Sequence, residues 1–278
     1  TVLCGYRNTI NCVILNLPSS KRSMPLIYVF AASKTEARPA LAFAGSRGPV
    51  ASGAVGEGEK RVVVTITGMG RRNAGTAARA ALNLASLRSS GNMRAMQKPD
   101  AVLVIGVCGG LTEAVPQGRI VVYDQCLSAE AQHPPLRCSP AFTQAMLETL
   151  HKKGIPCDPV TGITSARIAT TKSARLDLAK SGAAAVDMES YDVLSAAARA
   201  GVPAAVLRVV SDSVDTAMPD FNRALDAKGG IDNRKALAVA LCSPFRTLSL
   251  MAANRRAMEQ LGPTVKWVLQ SICFSWFA

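Results

Sequence analysis

The chain has 278 residues, 49% of them hydrophobic and 18% charged, a balance that excludes intrinsic disorder as its main state. Its longest nearly apolar run, Ala101 to Leu111, is far short of the roughly 20 residues that a membrane-spanning helix needs. Thirty-two Lys and Arg against 19 Asp and Glu leave a formal charge of +13, which suggests anionic partners: nucleic acid, phosphorylated ligands or an acidic membrane face.

The first 23 residues mix polar residues with a short apolar patch, Cys12 to Leu17, and read as an N-terminal extension without expected order. The patch is short for a signal peptide and no A-x-A site follows it, so export is not expected. The natural domain is expected to begin near Met24 and to run to residue 278 as one unit.

From Met24 onward, β-branched runs alternate with alanine-rich ones. Strands are expected over Leu26–Ala31 and Arg61–Thr67, then a helix over Ala74–Leu87, where Ala74, Ala77, Ala78, Ala81 and Leu82 fall at helical spacing. Ala101–Ile105 is a continuous apolar run, the pattern of a strand buried on both faces, and Ile120–Tyr123 is a further strand. A helix over Ala141–Lys153 ends at Gly154, a strand covers Pro159–Ala166, and a helix covers Lys172–Ser181. Ala183–Asp187 and Ala204–Val210 are strands on either side of a helix over Glu189–Ala200, which Gly201 and Pro203 stop. Helices over Asn233–Leu241 and Pro244–Leu261 open a basic helical C-terminal segment, about 233–278. This alternation predicts an α/β fold: a three-layer sandwich with a mostly parallel central sheet and helices on both faces.

The cationic doublets Arg71-Arg72, Lys152-Lys153 and Arg255-Arg256 are isolated, and aromatic residues make up only 5%, so the stacking surface of a nucleic-acid binder is missing. Eight cysteines with no C-x-x-C pair, and only two histidines, His133 and His151, argue against a zinc site and a disulfide scaffold. Reduced thiols in a cytoplasmic protein without a metal or cofactor fit better.

In open α/β sheets, ligands bind beyond the carboxyl ends of the strands. The residues there are Ser33 to Glu36, Gly68-Met69-Gly70, Gly106 to Leu111, Asp187-Met188-Glu189 and Ser211-Asp212. Gly68-Met69-Gly70 is not a dinucleotide fingerprint, because Asn73 stands where the third glycine belongs. The glycines of Gly106 to Leu111 admit a ligand close to the backbone, or equally mark a bulge or close helix packing. Cys108 fits a small buried hydrophobe better than a nucleophile, since neither histidine is near it in sequence. Glu189 in a first helical turn also fits dipole compensation, and Ser211 and Asp212 also fit a helix cap.

Taken together, the glycine turns, the Val-Asp-Met-Glu-Ser turn at 186–190 and the Arg-x-x-Ser-Asp turn at 208–212 resemble the purine nucleoside phosphorylase and methylthioadenosine/S-adenosylhomocysteine nucleosidase superfamily, over roughly Met24 to Asp215. Within it the sequence looks most like the hopanoid-associated branch, linked to release of adenine from adenosylhopane, through Thr35-Glu36-Ala37-Arg38, Gly106 to Leu111 and the basic C-terminus. The resemblance implies that a ribose–base N-glycosidic bond is broken through a transition state with oxocarbenium character. It casts Asp212 as the general acid toward the purine N7, its carboxyl kept neutral by burial, and Ser211 as the group that orients it. Glu36 matches the residue that orients or activates water, Glu189 the acceptor for the ribose hydroxyls, and Met188 a contact to the sugar. Arg167-Ile168 matches the backbone that holds the base, and Cys108, Gly109 and Gly70 complete the expected substrate contacts.

The family's phosphorylases carry an Arg and a Ser or Thr where this chain has Val104 and Val107, so water is the favoured acceptor; Arg38, Arg71 and Arg72 leave another anion site open. A phosphorylase and a non-catalytic nucleoside-binding protein are the alternatives. The family also implies a homo-oligomer. For a lipid substrate, residues 244–278, with Leu248, Met251, Arg255, Arg256, Met258, Leu261, Trp267 and Leu269, would meet the inner membrane from the cytoplasm, or else pack on the core with a solvated basic face.

Overall fold

The computed structural model describes residues 11–12, 25–45, 62–86, 98–130, 132–226 and 232–275. The expected domain start at Met24, most of the proposed extension, Arg61 and Leu87 therefore lie outside the described residues. The chain runs through β1 (Asn11–Cys12), β2 (Ile27–Ala31), α1 (Lys34–Phe43), β3 (Val62–Ile66), α2 (Arg71–Ser86), β4 (Ala101–Gly110) and β5 (Ile120–Ser128). It continues with β6 (Leu136–Arg137), α3 (Pro140–Lys152), β7 (Pro159–Thr164), α4 (Lys172–Ala179), β8 (Ala185–Asp187) and α5 (Ser190–Arg199). It ends with β9 (Ala204–Asp212), a short 3-10 turn at Phe221–Ala224, α6 (Asn233–Cys242) and α7 (Pro244–Ser275).

Among the described residues, nine strands form one mixed sheet. β3–β2, β2–β4, β4–β9, β5–β7 and β7–β8 are parallel pairs; β1–β3, β4–β8, β5–β6 and β5–β9 are antiparallel. Because side chains alternate across a strand, each buried run feeds two cores. Ile27, Val29, Leu103, Ile105 and Leu207 pack against α1, α3 and the later part of α7, through Leu41, Phe142, Met146, Leu261 and Val265. Tyr28, Phe30, Val102, Val104 and Val206 pack against α2 and α5, through Ala78, Leu82, Leu194 and Ala197. Helices thus cover both faces, as the alternating pattern predicts.

Several elements differ from the expectations. Asn11–Cys12, within the extension expected to lack order, form β1 against β3; β5 and β9 run on to Ser128 and Asp212; and β6 has no counterpart among the expected strands. Ser33 to Glu36 is the start of a ten-residue helix, α1, and the capping box that Ser33 and Glu36 form holds it despite Pro39 inside. Gly106 to Gly110 is not a turn. β4 continues through it, paired with β9 and then β8, because residues without a Cβ let neighbouring atoms close in. α7 does not stop at Leu261 but passes Pro263 to Ser275, since Leu261, Val265, Val268, Leu269 and Ile272 bury one continuous stripe.

Candidate active site

Four acidic residues, Glu36, Asp187, Glu189 and Asp212, line one cavity of about 450 Å³, and their positions follow from the strand ends that carry them. Glu36 sits in the first turn of α1, buried, with the Ser33 backbone N–H and hydroxyl each donating to Oε2 at 2.9 Å. Its Oε1 accepts from the backbone N–H of Val107 at 3.0 Å, which ties α1 to the middle of β4. That approach needs Gly106. With φ at +153°, a Cβ there would stand 2.4 Å from Glu36 Oε1 and 2.5 Å from Arg208 Nη1.

Glu189 stands between β8 and α5 and makes no side-chain cap of the helix; instead its Oε1 accepts from the Gly70 backbone N–H at 3.0 Å. This is how Gly70 enters the site: it orients the carboxylate and does not itself line the cavity. Beneath Glu189 lies Arg208 from β9, fully buried, 3.5 Å from both Glu189 Oε2 and Asp187 Oδ2 and donating to Ser190 Oγ at 2.9 Å. Burial opposes the charge on Asp187, but Arg208 and hydrogen bonds from Ser190 and Thr164 outweigh it, so that carboxyl is held below its usual range. For Glu189 the balance runs the other way: burial, joined by Asp187 and Glu36, pushes its carboxyl up to about 7 against the pull of Arg208.

This shift has a stability consequence with a definite sign. From the ordinary value of 4.5 up to about 7, the folded chain keeps the Glu189 proton that the unfolded chain has lost, so this group's contribution to stability falls as pH rises. Glu189→Gln removes the titration. Urea melts at pH 4.5 are expected to differ little between variant and parent. At pH 8 the variant is expected to be more stable, by about 3 kcal/mol at the limit set by the shift. Equal stabilities at both pH values would contradict the assignment.

Asp212 ends β9 with both oxygens engaged. Ser211 Oγ lies against Oδ1 and also 3.2 Å from the Cys108 carbonyl oxygen. One hydroxyl proton cannot serve both. When it rests on the Cys108 carbonyl, Ser211 Oγ is free to accept from a proton carried on Asp212 Oδ1, so the pair accommodates either state of the carboxyl. Oδ2 is ion-paired with Arg175 of α4, and this corrects the expectation that burial alone governs Asp212. Arg175 is 1% exposed and also donates to the carbonyls of Ala169 at 2.9 Å and Ser213 at 2.7 Å. Gly109 allows this crowding, since a Cβ there would stand 2.9 Å from Asp212 Oδ2. Cys108 lines the cavity through β4, and burial pushes its thiol far above its ordinary value, so it does not act as a thiolate near neutral pH.

Met188, Arg167 and Ile168 also line the cavity, with Met69, Met218, and Asn254 and Met258 from α7. The Ile168 backbone, expected to hold a base, is occupied by the Asn222 amide: its Oδ1 accepts from Ile168 N–H and its Nδ2 donates to Ile168 C=O, both at 2.9 Å. An amide edge there has the donor–acceptor pattern of a nucleobase edge. Arg71 lies elsewhere, paired with Asp192 at 2.8 Å and Glu130 at 3.0 Å, and does not join the cavity as an anion site. Val104 is buried in the core between β4 and α2, and Val107 lines the cavity. Among the described residues, no three His, Cys, Asp or Glu side chains gather as a metal site. Sequence reasoning assigned no role to Arg175 or Asp187; Arg175 occupies an ordinary mid-helix position whose only signal is its later burial.

The phosphorylase superfamily matches residues 13–242. No curated protein matches the sequence. Among solved structures, the futalosine hydrolase of Helicobacter pylori superposes with a TM-score of 0.66 at 17% identity, over 90% of this chain and 99% of its own. The 5'-methylthioadenosine/S-adenosylhomocysteine nucleosidase of Neisseria meningitidis, in complex with methylthio-immucillin-A, gives 0.66 at 16%, over 89% and 100%. The S-adenosylhomocysteine nucleosidase of Streptococcus pyogenes gives 0.65 at 16%, over 91% and 98%.

Proposed function

The chain belongs to the phosphorylase superfamily, and on that premise we propose that it cleaves the N-glycosidic bond of an adenine nucleoside with water and releases adenine. The observation that carries this reading is the convergence of Glu36, Glu189 and Asp212 on one cavity. In the proposed step Asp212, which rests as the anion paired with Arg175, takes up a solvent proton at Oδ1 as the substrate binds and passes it to N7 as the C1′–N9 bond breaks. A water oxygen bonds to C1′, and its proton passes to Glu36. Glu189 accepts from the ribose hydroxyls and, once ionised above about pH 7, places negative charge beside the developing cation, while Met188 packs on the sugar.

Water is favoured over phosphate because the buried cations at the site already have partners: Arg208 faces Asp187 and Glu189, and Arg175 faces Asp212. The Val107 side chain offers phosphate no hydrogen bond. The names of the similar solved structures, a futalosine hydrolase and two nucleosidases, are in keeping with this acceptor. The proposed substrate is an adenosine substituted at the 5′ position, with adenosylhopane the member of that class implied by the resemblance. Incubation with a panel of 5′-substituted adenosines is expected to release adenine and the free substituted ribose at a rate indifferent to phosphate. A ribose 1-phosphate product that requires phosphate would replace this reading with a phosphorylase. Tight binding of every panel member without base release would replace it with a nucleoside-binding protein.

A further inference from the structure

α6 and the first two turns of α7 form an elbow, bent by 113° at Ser243, whose surface is not that of a core-packing helix pair. Between Ala236 and Ala253 the sequence is almost wholly apolar or small, and its single charge is Arg246. Yet of the residues from Asp232 to Ala252 whose surroundings are described, none is buried. Leu237 and Leu241 follow one another at four residues on α6, 61% and 72% exposed. Phe245, Leu248 and Met251 follow at three on α7, 86%, 63% and 64% exposed. From Ala253 onward α7 changes character: Ala253, Ala257, Leu261 and Val265 are buried against the sheet. The expected interfacial segment at 244–278 thus divides, its later half being core.

Single exposed apolar residues need no explanation, but five large ones on two consecutive helices form a patch that does. Its rim is basic. Arg234 and Lys235 stand at one end, Arg246 in the middle, and Arg255 and Arg256 at the other, against two acids, Asp232 and Glu259. A second copy of the chain meeting this face about a two-fold axis would set these cations against themselves. An anionic lipid surface complements both features, taking the apolar side chains below its headgroups and the cations among its phosphates. Among the described residues, no single helix is long and apolar enough to cross a bilayer, and the core-packed half of α7 holds the elbow to the surface side.

We propose that the α6–α7 elbow docks the protein on an anionic lipid surface, with Leu237, Leu241, Phe245, Leu248 and Met251 as the inserted side chains. Met251 lies seven residues, about 10 Å along the helix, from Met258 in the cavity wall, so docking brings the site close to the lipid. The inference goes beyond the proposed hydrolysis and does not depend on it.

The full chain should float with vesicles containing phosphatidylglycerol, and less with phosphatidylcholine vesicles or in high salt, which screens the basic rim. A triple variant, Leu241→Ser, Phe245→Ser and Leu248→Ser, removes exposed side chains only. It should keep its melting temperature and lose vesicle binding by roughly tenfold or more. Undiminished binding by the variant, or no binding of the full chain to anionic vesicles, would overturn the proposal. So would a dimer of the full chain that the triple substitution converts to monomer without any vesicle binding, which would assign the face to a second copy. Adenine release from a water-soluble nucleoside, measured without vesicles, tests the proposed hydrolysis separately.

Discussion

Asp212→Asn is expected to reduce adenine release by between about 100-fold and 10,000-fold, the range that loss of a general acid produces. The amide keeps the side-chain shape but cannot pass a proton to N7. The same change removes the anion that faces Arg175, a guanidinium 1% exposed, and breaking a buried pair from one side destabilises by about 3 to 5 kcal/mol. Activity and stability therefore fall together in the single variant, and a second substitution separates them. In the double variant Asp212→Asn, Arg175→Met, the orphaned cation is gone but the carbonyls of Ala169 and Ser213 lose their donor, so the melting temperature should recover in part while turnover stays low. Recovery of turnover along with stability would show that Asp212 serves only to neutralise Arg175. An Asp212→Asn protein with parental turnover would remove it from the chemistry altogether.

The second large effect is expected at a residue with no side chain. Gly106→Ala would place a methyl group 2.4 Å from Glu36 Oε1 and 2.5 Å from Arg208 Nη1, at a φ of +153° that L-residues rarely adopt. Both neighbours are buried and neither can swing into solvent. Glu36 would have to leave the Val107 N–H, and Arg208 would have to shift from beneath Glu189. Strain and overpacking together should lower stability by about 3 kcal/mol or more. Displacing the water-orienting carboxylate by an ångström should cost about 100-fold in kcat/KM. Gly182→Ala is the control for backbone conformation alone: its φ is +86° and nothing lies within 4 Å of the added Cβ. That variant should lose stability without losing kcat/KM. Parental activity and stability in Gly106→Ala would mean that Glu36 and Arg208 are not held as described.

These two sites differ in how far the sequence exposes them. Asp212 is legible, because a carboxylate that follows a buried strand stands where α/β sheets bind ligands. Its partner Arg175 is not, being 37 residues away in the middle of α4, a position otherwise fit for a solvated face. The capping box Ser33-x-x-Glu36 is written in the sequence and could have located α1, but Pro39 obscures the helical pattern that would follow it. Gly106 to Gly110 has turn composition. What overrides composition is the need of β9, Glu36 and Val115 to approach β4 more closely than a Cβ permits.

By itself the sequence determined the alternation of strands and helices, the two-sided burial of the central strands, and the placing of Glu36 and Glu189 just past strand ends and of Asp212 at one. These are consequences of local hydrophobic period and of chain direction, which neighbouring residues encode. Only the tertiary structure decided which cation faces which carboxylate, that Asn222 occupies the Ile168 backbone, and that the α6–α7 elbow is left uncovered while the rest of α7 is not. Those outcomes depend on register and packing between segments tens of residues apart, where a shift of one position exchanges a buried partner for solvent.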